Sequence, residues 1–374
     1  MKKNLKVVFS VALTVLMMCT FVFTTNAATI EELVDLQLTT DALAEKYLMR
    51  SEYINDDGSE VIQIDNVNRF EDKLRASNKN SSDKELAKTL YRYLGEREDV
   101  IDNLPDEMLL EVFDFNAATI VTNYIQYSEN GEQTFLDSET MLQKLAVETS
   151  LTSDGKEFVE NSIYSQSESV VSPRGSVVTT SNDGYMKLTT SAYETTGNVE
   201  NRTFFIISAR SQWLKEPNWK VQDVLAITSS ATYDNTYNNY GYFEEWCTQS
   251  LISNGDVVEE YYIKNSIYKN EGTDTPDDIW FEYTEGIGGI ALRFNMVNIE
   301  SLYPSDVCNY EYTMRSFVRF RASLYNVDGA VQAAYCHRLF SITDIKVDLA
   351  TGDIDFSVVG GKEEYFGEPL AIYY

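Results

Sequence analysis

The chain carries a single histidine, His337, directly beside Cys336. A thiol and an imidazole are the ingredients of nucleophilic catalysis, the ring taking the proton from the sulfur. Adjacent residues on a strand project to opposite faces, however, so these two cannot serve each other. His337 would have to meet Cys247, Cys308 or a serine brought near by the fold, and it is the one catalytic candidate. The plainer reading is a structural histidine in the core or at a sheet edge. One imidazole also excludes the common histidine-rich zinc sites. No Gly-x-Ser-x-Gly elbow is present. Gly286-Ile-Gly-Gly289 stands before the apolar stretch Ile290 to Phe294. A phosphate cradle needs such glycines between a strand and a helix. The downstream segment reads as a strand, so a bend or bulge is expected instead.

Carboxylates and aromatics supply the remaining chemistry. Asp274, Asp277 and Asp278 surround Pro276 and are the candidate ligands for calcium in a loop; no other cofactor is implied. Asn55-Asp-Asp-Gly58 resembles the middle of a calcium loop, but Tyr53 and Ile64 would fill its first and twelfth positions, so an EF-hand fails at both ends. With 59 acidic residues, a carboxylate pair for glycoside hydrolysis has no specificity as a signal. Trp213-Leu-Lys-Glu-Pro-Asn-Trp219 sets two tryptophans around a proline turn, and Tyr233, Tyr237, Tyr240, Tyr242, Phe243 and Trp246 follow among asparagines. Aromatic faces framed by polar residues suit a sugar- or peptide-binding surface, since rings give contact area at low entropic cost. Trp213, Trp219, Tyr237 and Trp246 are therefore the candidate ligand-binding residues, against a core role for the same rings.

The elements that would position these groups change character along the chain. From Thr29 to about Ser150 the apolar spacing is helical. Thr29-Ile-Glu-Glu32 and Ser82-Asp-Lys-Glu85 are capping boxes, and Leu104-Pro-Asp-Glu107 places proline and acids in a first helical turn. Leu43, Ala44, Tyr47 and Leu48 mark another helix, and 116–127 and 138–147 are read as two more. A short hairpin is expected around Asn55-Asp-Asp-Gly-Ser59, returning through Val61, Ile62 and Ile64. From about Asn161 the period becomes two. Phe204 to Ala209 reads as a strand buried on both faces. Val318, Phe320, Ala322 and Leu324 share one face, with Arg319 and Arg321 on the other. Turns at Ser253-Asn-Gly-Asp256, Asn326-Val-Asp-Gly329 and Ala350-Thr-Gly-Asp353 separate short strands. The fold class is α+β: a helical N-terminal domain over 28–155, then an antiparallel β-sandwich or jelly-roll-like domain over 160–374.

Four short stretches carry a likeness. Leu104-Pro-Asp-Glu-Met-Leu109, Trp213-Leu-Lys-x-Pro-Asn-Trp219 followed by Asp223, the strand Ile290 to Phe294, and Ala334-Tyr-Cys-His337 before a closing hairpin occur in this order. In these the chain resembles secreted proteins of Gram-positive bacteria with no assigned activity. The resemblance implies a helical N-terminal region and a β-rich C-terminal domain. It transfers no catalytic residue.

Lys2, Lys3 and Lys6 precede an apolar run from Val7 to Phe23 that ends in small residues, so 1–27 reads as a secretory signal peptide cut after Ala27. Leu16-Met-Met-Cys19 is a poor lipobox because Met18 is too large before the cysteine. Loss of the three lysines leaves 27 basic residues against 59 acidic ones, a formal net charge of −32. That field repels nucleic acid and anionic lipid, so neither nucleic acid nor, after cleavage, a membrane is an expected partner. Cys247, Cys308 and Cys336 cannot all pair within one chain. The expectation is an extracellular, non-enzymatic protein that recognises glycan or protein through aromatic loops of the β-domain. A secreted hydrolase acting on wall or host polymers is the alternative, and a β-domain effector with the helices as prosegment is a third reading.

Overall fold

The computed structural model describes residues 38–128, 132–149, 184–196, 202–214, 222–234, 239–253, 256–270, 279–283, 289–295, 309–338, 341–348, 353–359 and 362–373. Helix α1 (Thr40–Tyr47) starts where the Thr39 hydroxyl accepts from the Ala42 amide at 3.3 Å. Strands β1 (Met49–Ile54) and β2 (Glu60–Asp65) form the hairpin expected around Asn55 to Ser59. Its turn closes through Asn55 N–H to Ser59 O and Gly58 N–H to Asn55 O, both 2.9 Å, with Gly58 at φ +92°. This three-residue loop needs a positive φ at its last position, which glycine supplies without strain.

Helices α2 (Val67–Ser77) and α3 (Asp83–Tyr93) follow. The Ser82 capping box is reciprocal: Glu85 N–H donates to Ser82 Oγ at 3.3 Å and Ser82 N–H to Glu85 Oε2 at 3.0 Å. Then come α4 (Glu98–Asn103), α5 (Asp106–Leu110) directly after Pro105, and a 3₁₀ turn at Glu111–Asp114. The stretch 116–127 is not the expected helix but strand β3 (Phe115–Tyr127). Thr119, Ile120, Val121, Thr122 and Ile125 are β-branched, stiff at χ1, and fit a pleated surface with neighbours on both sides better than a helical turn. Strand β4 (Gln133–Leu136) and helix α6 (Ser138–Thr149) complete this region.

All later described elements are strands: β5 (Gly184–Thr195), β6 (Arg202–Trp213), β7 (Gln222–Ser229), β8 (Thr232–Tyr233), β9 (Tyr240–Ser253), β10 (Asp256–Asn270), β11 (Ile279–Tyr283), β12 (Gly289–Asn295), β13 (Asn309–Tyr325), β14 (Gly329–Arg338), β15 (Ser341–Asp348), β16 (Asp353–Val359), β17 (Lys362–Phe366) and β18 (Leu370–Ile372). Every pairing is antiparallel. A ten-stranded sheet runs β1-β2-β3-β5-β6-β13-β9-β10, with β4 beside β3 and β8 beside β13. A six-stranded sheet runs β11-β12-β7-β14-β17, with β18 beside β14, and β15 pairs with β16.

The large sheet has two differently covered faces. On one, Phe70, Leu74, Leu90, Tyr91 and Val112 of the helical region form a single apolar cluster with Phe115, Tyr193, Ile206, Tyr240 and Phe317. On the other, Ile207, Ala209, Val318 and Phe320 share a core with Leu225, Ile227, Leu292, Phe294, Val331 and Tyr335 of the small sheet. Burying each such aliphatic or aromatic side chain contributes about 1.5–3 kcal/mol. The region read as helical from sequence thus also supplies β1 to β4 and shares its core with the strands that follow. Among the described residues no helix is long and apolar enough to cross a membrane.

Candidate functional site

Two stretches singled out from the sequence, carried on three strands, converge between the two sheets. On β14, Tyr335 and His337 are two residues apart and share a face, while Cys336 points the other way into a cluster with Val224, Ala226 and Ala334. The register of β14 on β7 pairs Tyr335 with Leu225 and Cys336 with Val224, so the next step sets His337 against Asp223. Trp213, the last residue of β6, enters from the large sheet.

These four side chains form a continuous chain of hydrogen bonds. Trp213 Nε1–H donates to the Tyr335 hydroxyl at 3.1 Å, and that hydroxyl donates to Asp223 Oδ2. His337 Nδ1 lies 2.8 Å from Asp223 Oδ1. An ionised carboxylate only accepts, so the Nδ1 carries the proton. The Trp213 ring stands edge-on to His337, Tyr335 and Tyr365, with centroid distances of 5.0, 5.9 and 5.4 Å and interplanar angles of 77°, 85° and 82°. Edge-to-face geometry places the positive ring edge on a negative face. Asp223 and Tyr335 are 0% exposed, His337 3% and Trp213 4%.

A carboxylate on Nδ1 fixes the ring and its tautomer, as in hydrolase triads, leaving Nε2 as the position for base chemistry. The enclosure limits this use, because at 3% exposure no polymer substrate reaches the ring in this arrangement. The same enclosure corrects the placement of Trp213 on a ligand-facing surface. Its position on β6 aims it at the inter-sheet core, where tyrosine and histidine rings surround it. Tyr240, Tyr242 and Phe243, part of the same aromatic-rich stretch, are buried as well. Trp219, Tyr237, Asp274, Asp277 and Asp278 lie outside the described residues, as does the side chain of Trp246. Among the described residues no group of three or more His, Cys, Asp or Glu could hold a metal ion.

A second buried polar network, unforeseen from sequence, lies on the opposite face of the large sheet, under the helices. Arg210 pairs with Glu96 and donates to Gly95 O at 3.2 Å, and Tyr193 OH donates to Glu96 Oε2 at 2.9 Å. Arg97 Nη2 donates to Asp99 Oδ2 at 2.8 Å and its Nη1 to Gln212 Oε1 at 3.2 Å. Tyr242 OH donates to the same Asp99 Oδ2 at 2.7 Å, and Arg315 Nη1 stands 3.8 Å from Asp99 Oδ1. Arg319 joins Glu111 at 2.6 Å and the Tyr91 hydroxyl at 3.0 Å. Burial opposes ionisation of Asp99, but Arg97, Arg315 and the Tyr242 hydrogen bond outweigh it and hold the carboxyl down to about 2. Burial pushes the Tyr91 hydroxyl up to about 12. At the margin of the network, burial and the nearby Arg210 and Arg97 lower partly buried Lys187 to about 7. Its ammonium lies 5.4 Å from the Tyr124 ring centroid.

The sequence held a signal for each network. Asp223 interrupts the face of β7 shared by Leu225 and Ile227, and an acid on an apolar face needs a partner. Arg210 and Arg319 likewise sit in runs too apolar for a solvated strand. Without the helices' placement, alternation alone assigns such arginines to water.

No family model matches the sequence, and no curated protein matches it. Among solved structures it is compared with a "Pore forming protein" at 8% identity, covering 52% of this chain and 95% of that one, with a TM-score of 0.18. The Clostridium perfringens NetB toxin in the membrane inserted form gives 7% identity, 49% and 89% coverage and a TM-score of 0.16. Superpositions this loose do not establish a common fold.

Proposed function

We propose that the protein is a secreted, non-enzymatic binding protein that recognises extracellular glycan or protein through aromatic loops of its β-domain, whose two larger sheets are arranged as a sandwich. The observation that supports this reading is the position of the buried hydrogen-bond chain. Trp213 and Asp223 flank the segment that carries Trp219, and both are held by Tyr335. Leu214 N–H donates to Tyr185 O at 3.0 Å on one side of that segment, and Gln222 Nε2 donates to Asn295 Oδ1 at 2.8 Å on the other. A binding loop works best when a rigid scaffold fixes its ends. On this reading His337 and Tyr335 hold Asp223 and so secure the strand that follows this segment.

Glycan arrays and pull-downs with the mature chain test it. The mature protein is expected to retain a ligand, and Trp219→Ala to lose it with an unchanged melting temperature. Absence of binding in both assays with the fold intact would sink the reading, as would binding indifferent to Trp219→Ala. The secreted hydrolase is the second reading, favoured by the orientation of His337 on Asp223. Hydrolysis of a wall polymer by the mature chain, abolished in His337→Gln, would replace the first.

A further inference from the structure

β1 ends the strand order of the large sheet. All six of its residues are exposed, whereas β2 beside it buries Val61 and Ile64. Met49, Tyr53 and Ile54 are 63%, 46% and 61% exposed, a concentration of apolar surface on one short edge strand. Backbone direction follows from the turn. Asn55 bonds Ser59, so by antiparallel alternation the N–H and C=O groups of Tyr53, Ser51 and Met49 face β2. Those of Arg50, Glu52 and Ile54 therefore point outward from the sheet, ready to accept another strand.

The geometry points to a second copy of this chain as that strand, paired antiparallel about a two-fold axis through Ser51. In this register Arg50 lies opposite Glu52 of the partner subunit, and symmetry repeats the pair. Met49 meets Tyr53 of the partner subunit on the other face, and Ile54 meets Leu48 of the partner subunit. Each chain already joins Arg50 to Glu52 and holds Arg50 Nη1 on Tyr93 O at 3.3 Å, so the charges are in place on one face before association. Opposite charges directly across a ladder attract and like charges repel. A strand with one of each sign, symmetric about its centre, is self-complementary in a chain whose net charge of −29 otherwise opposes self-contact. The two-fold makes the interface isologous and closes it at a dimer.

Sedimentation velocity of the mature chain over a concentration series tests the proposal, with the melting temperature of each variant as the control for folding. The parent chain dimerises. Glu52→Arg sets four arginines across the junction and raises the dissociation constant about ten-fold or more. The exchange Arg50→Glu with Glu52→Arg restores opposite pairs and brings the constant back. Ser51→Cys, at a position that meets itself across the axis, forms a disulfide-linked dimer under mild oxidation that the parent does not. A parent chain that stays monomeric at all concentrations overturns the proposal. So does a dimer indifferent to Glu52→Arg, or one that the charge exchange fails to restore.

Discussion

The large sheet is closed by ion pairs on its helical side and by rings around a single carboxylate on the other. Under the helices, Glu96 pairs with Arg210 and Glu111 with Arg319 between the helical region and the strands, while Asp99 holds Arg97 at the start of its own helix and faces Arg315 of β13. Between the sheets, Asp223 faces a hydroxyl and an imidazole and is enclosed by aromatic faces. The first arrangement places mutually dependent charges in poor solvent, so its pieces cannot be removed singly. The second is a hydrogen-bonded chain within hydrocarbon, where each link is a moderate contribution. Neither is a solvent-facing cluster, and both connect layers that the sequence presents as separate.

The sharpest way to break this contrast is to strand a charge. Glu96→Ala leaves the Arg210 guanidinium without its carboxylate and is expected to destabilise by about 3–5 kcal/mol. Glu96→Leu combined with Arg210→Met removes both charges and should recover most of that loss, as measured by urea unfolding. If the double variant is as unstable as the single one, the pair is not acting as a unit. Between the sheets, Asp223→Ala leaves the Tyr335 hydroxyl and His337 Nδ1 seeking partners, at a cost of about 1–3 kcal/mol. A loss at Asp223 larger than at Glu96 would reverse the comparison.

Acid separates the two sides without mutation. The Asp99 carboxyl is lowered from 3.8 to about 2 in the folded chain. A depressed carboxyl contributes stability that is present above its unfolded value and lost as pH falls through the folded one. About 2 kcal/mol should therefore disappear between roughly pH 4 and pH 2. Asp99→Asn should flatten that part of the acid unfolding curve. Lys187 acts against the fold at neutral pH, where its disfavoured charged form costs stability, although the slope with pH has the same sign as that of Asp99. Its depressed value, about 7, means that the folded state binds fewer protons than the unfolded state between pH 7 and pH 10.5, so stability rises with pH across that range. Lys187→Met should raise the melting temperature at pH 7 and lose its advantage above pH 10.5.

Legibility in the sequence followed the range of the interaction. The Ser82 capping box, the Asn55 to Ser59 hairpin and the turn between β13 and β14 are local, and neighbouring residues specify them. The segment 116–127 misled because alanine, isoleucine and tyrosine at helical intervals mask a run of β-branched residues, and its strand character depends on β2 and β5 on either side. Trp213 and His337 were recognisable as chemically interesting, but their convergence on Asp223 depends on which sheet each strand joins. The arginines of β6 and β13 find their carboxylates only in the helical region at the other end of the chain, which no neighbouring residue specifies.

The enclosed imidazole is open to a direct measurement, because His337 is the only histidine in the chain. Long-range proton–nitrogen correlation spectra of untagged mature protein report one ring, with no assignment needed. With His337 donating from Nδ1 to Asp223 inside a sealed core, the spectrum shows the Nδ1-protonated tautomer and a slowly exchanging ring proton. Diethylpyrocarbonate then modifies the ring only when the protein unfolds. An Nε2-protonated ring, or modification of the folded protein at the rate of a free imidazole, would contradict this account and return His337 to the list of catalytic groups.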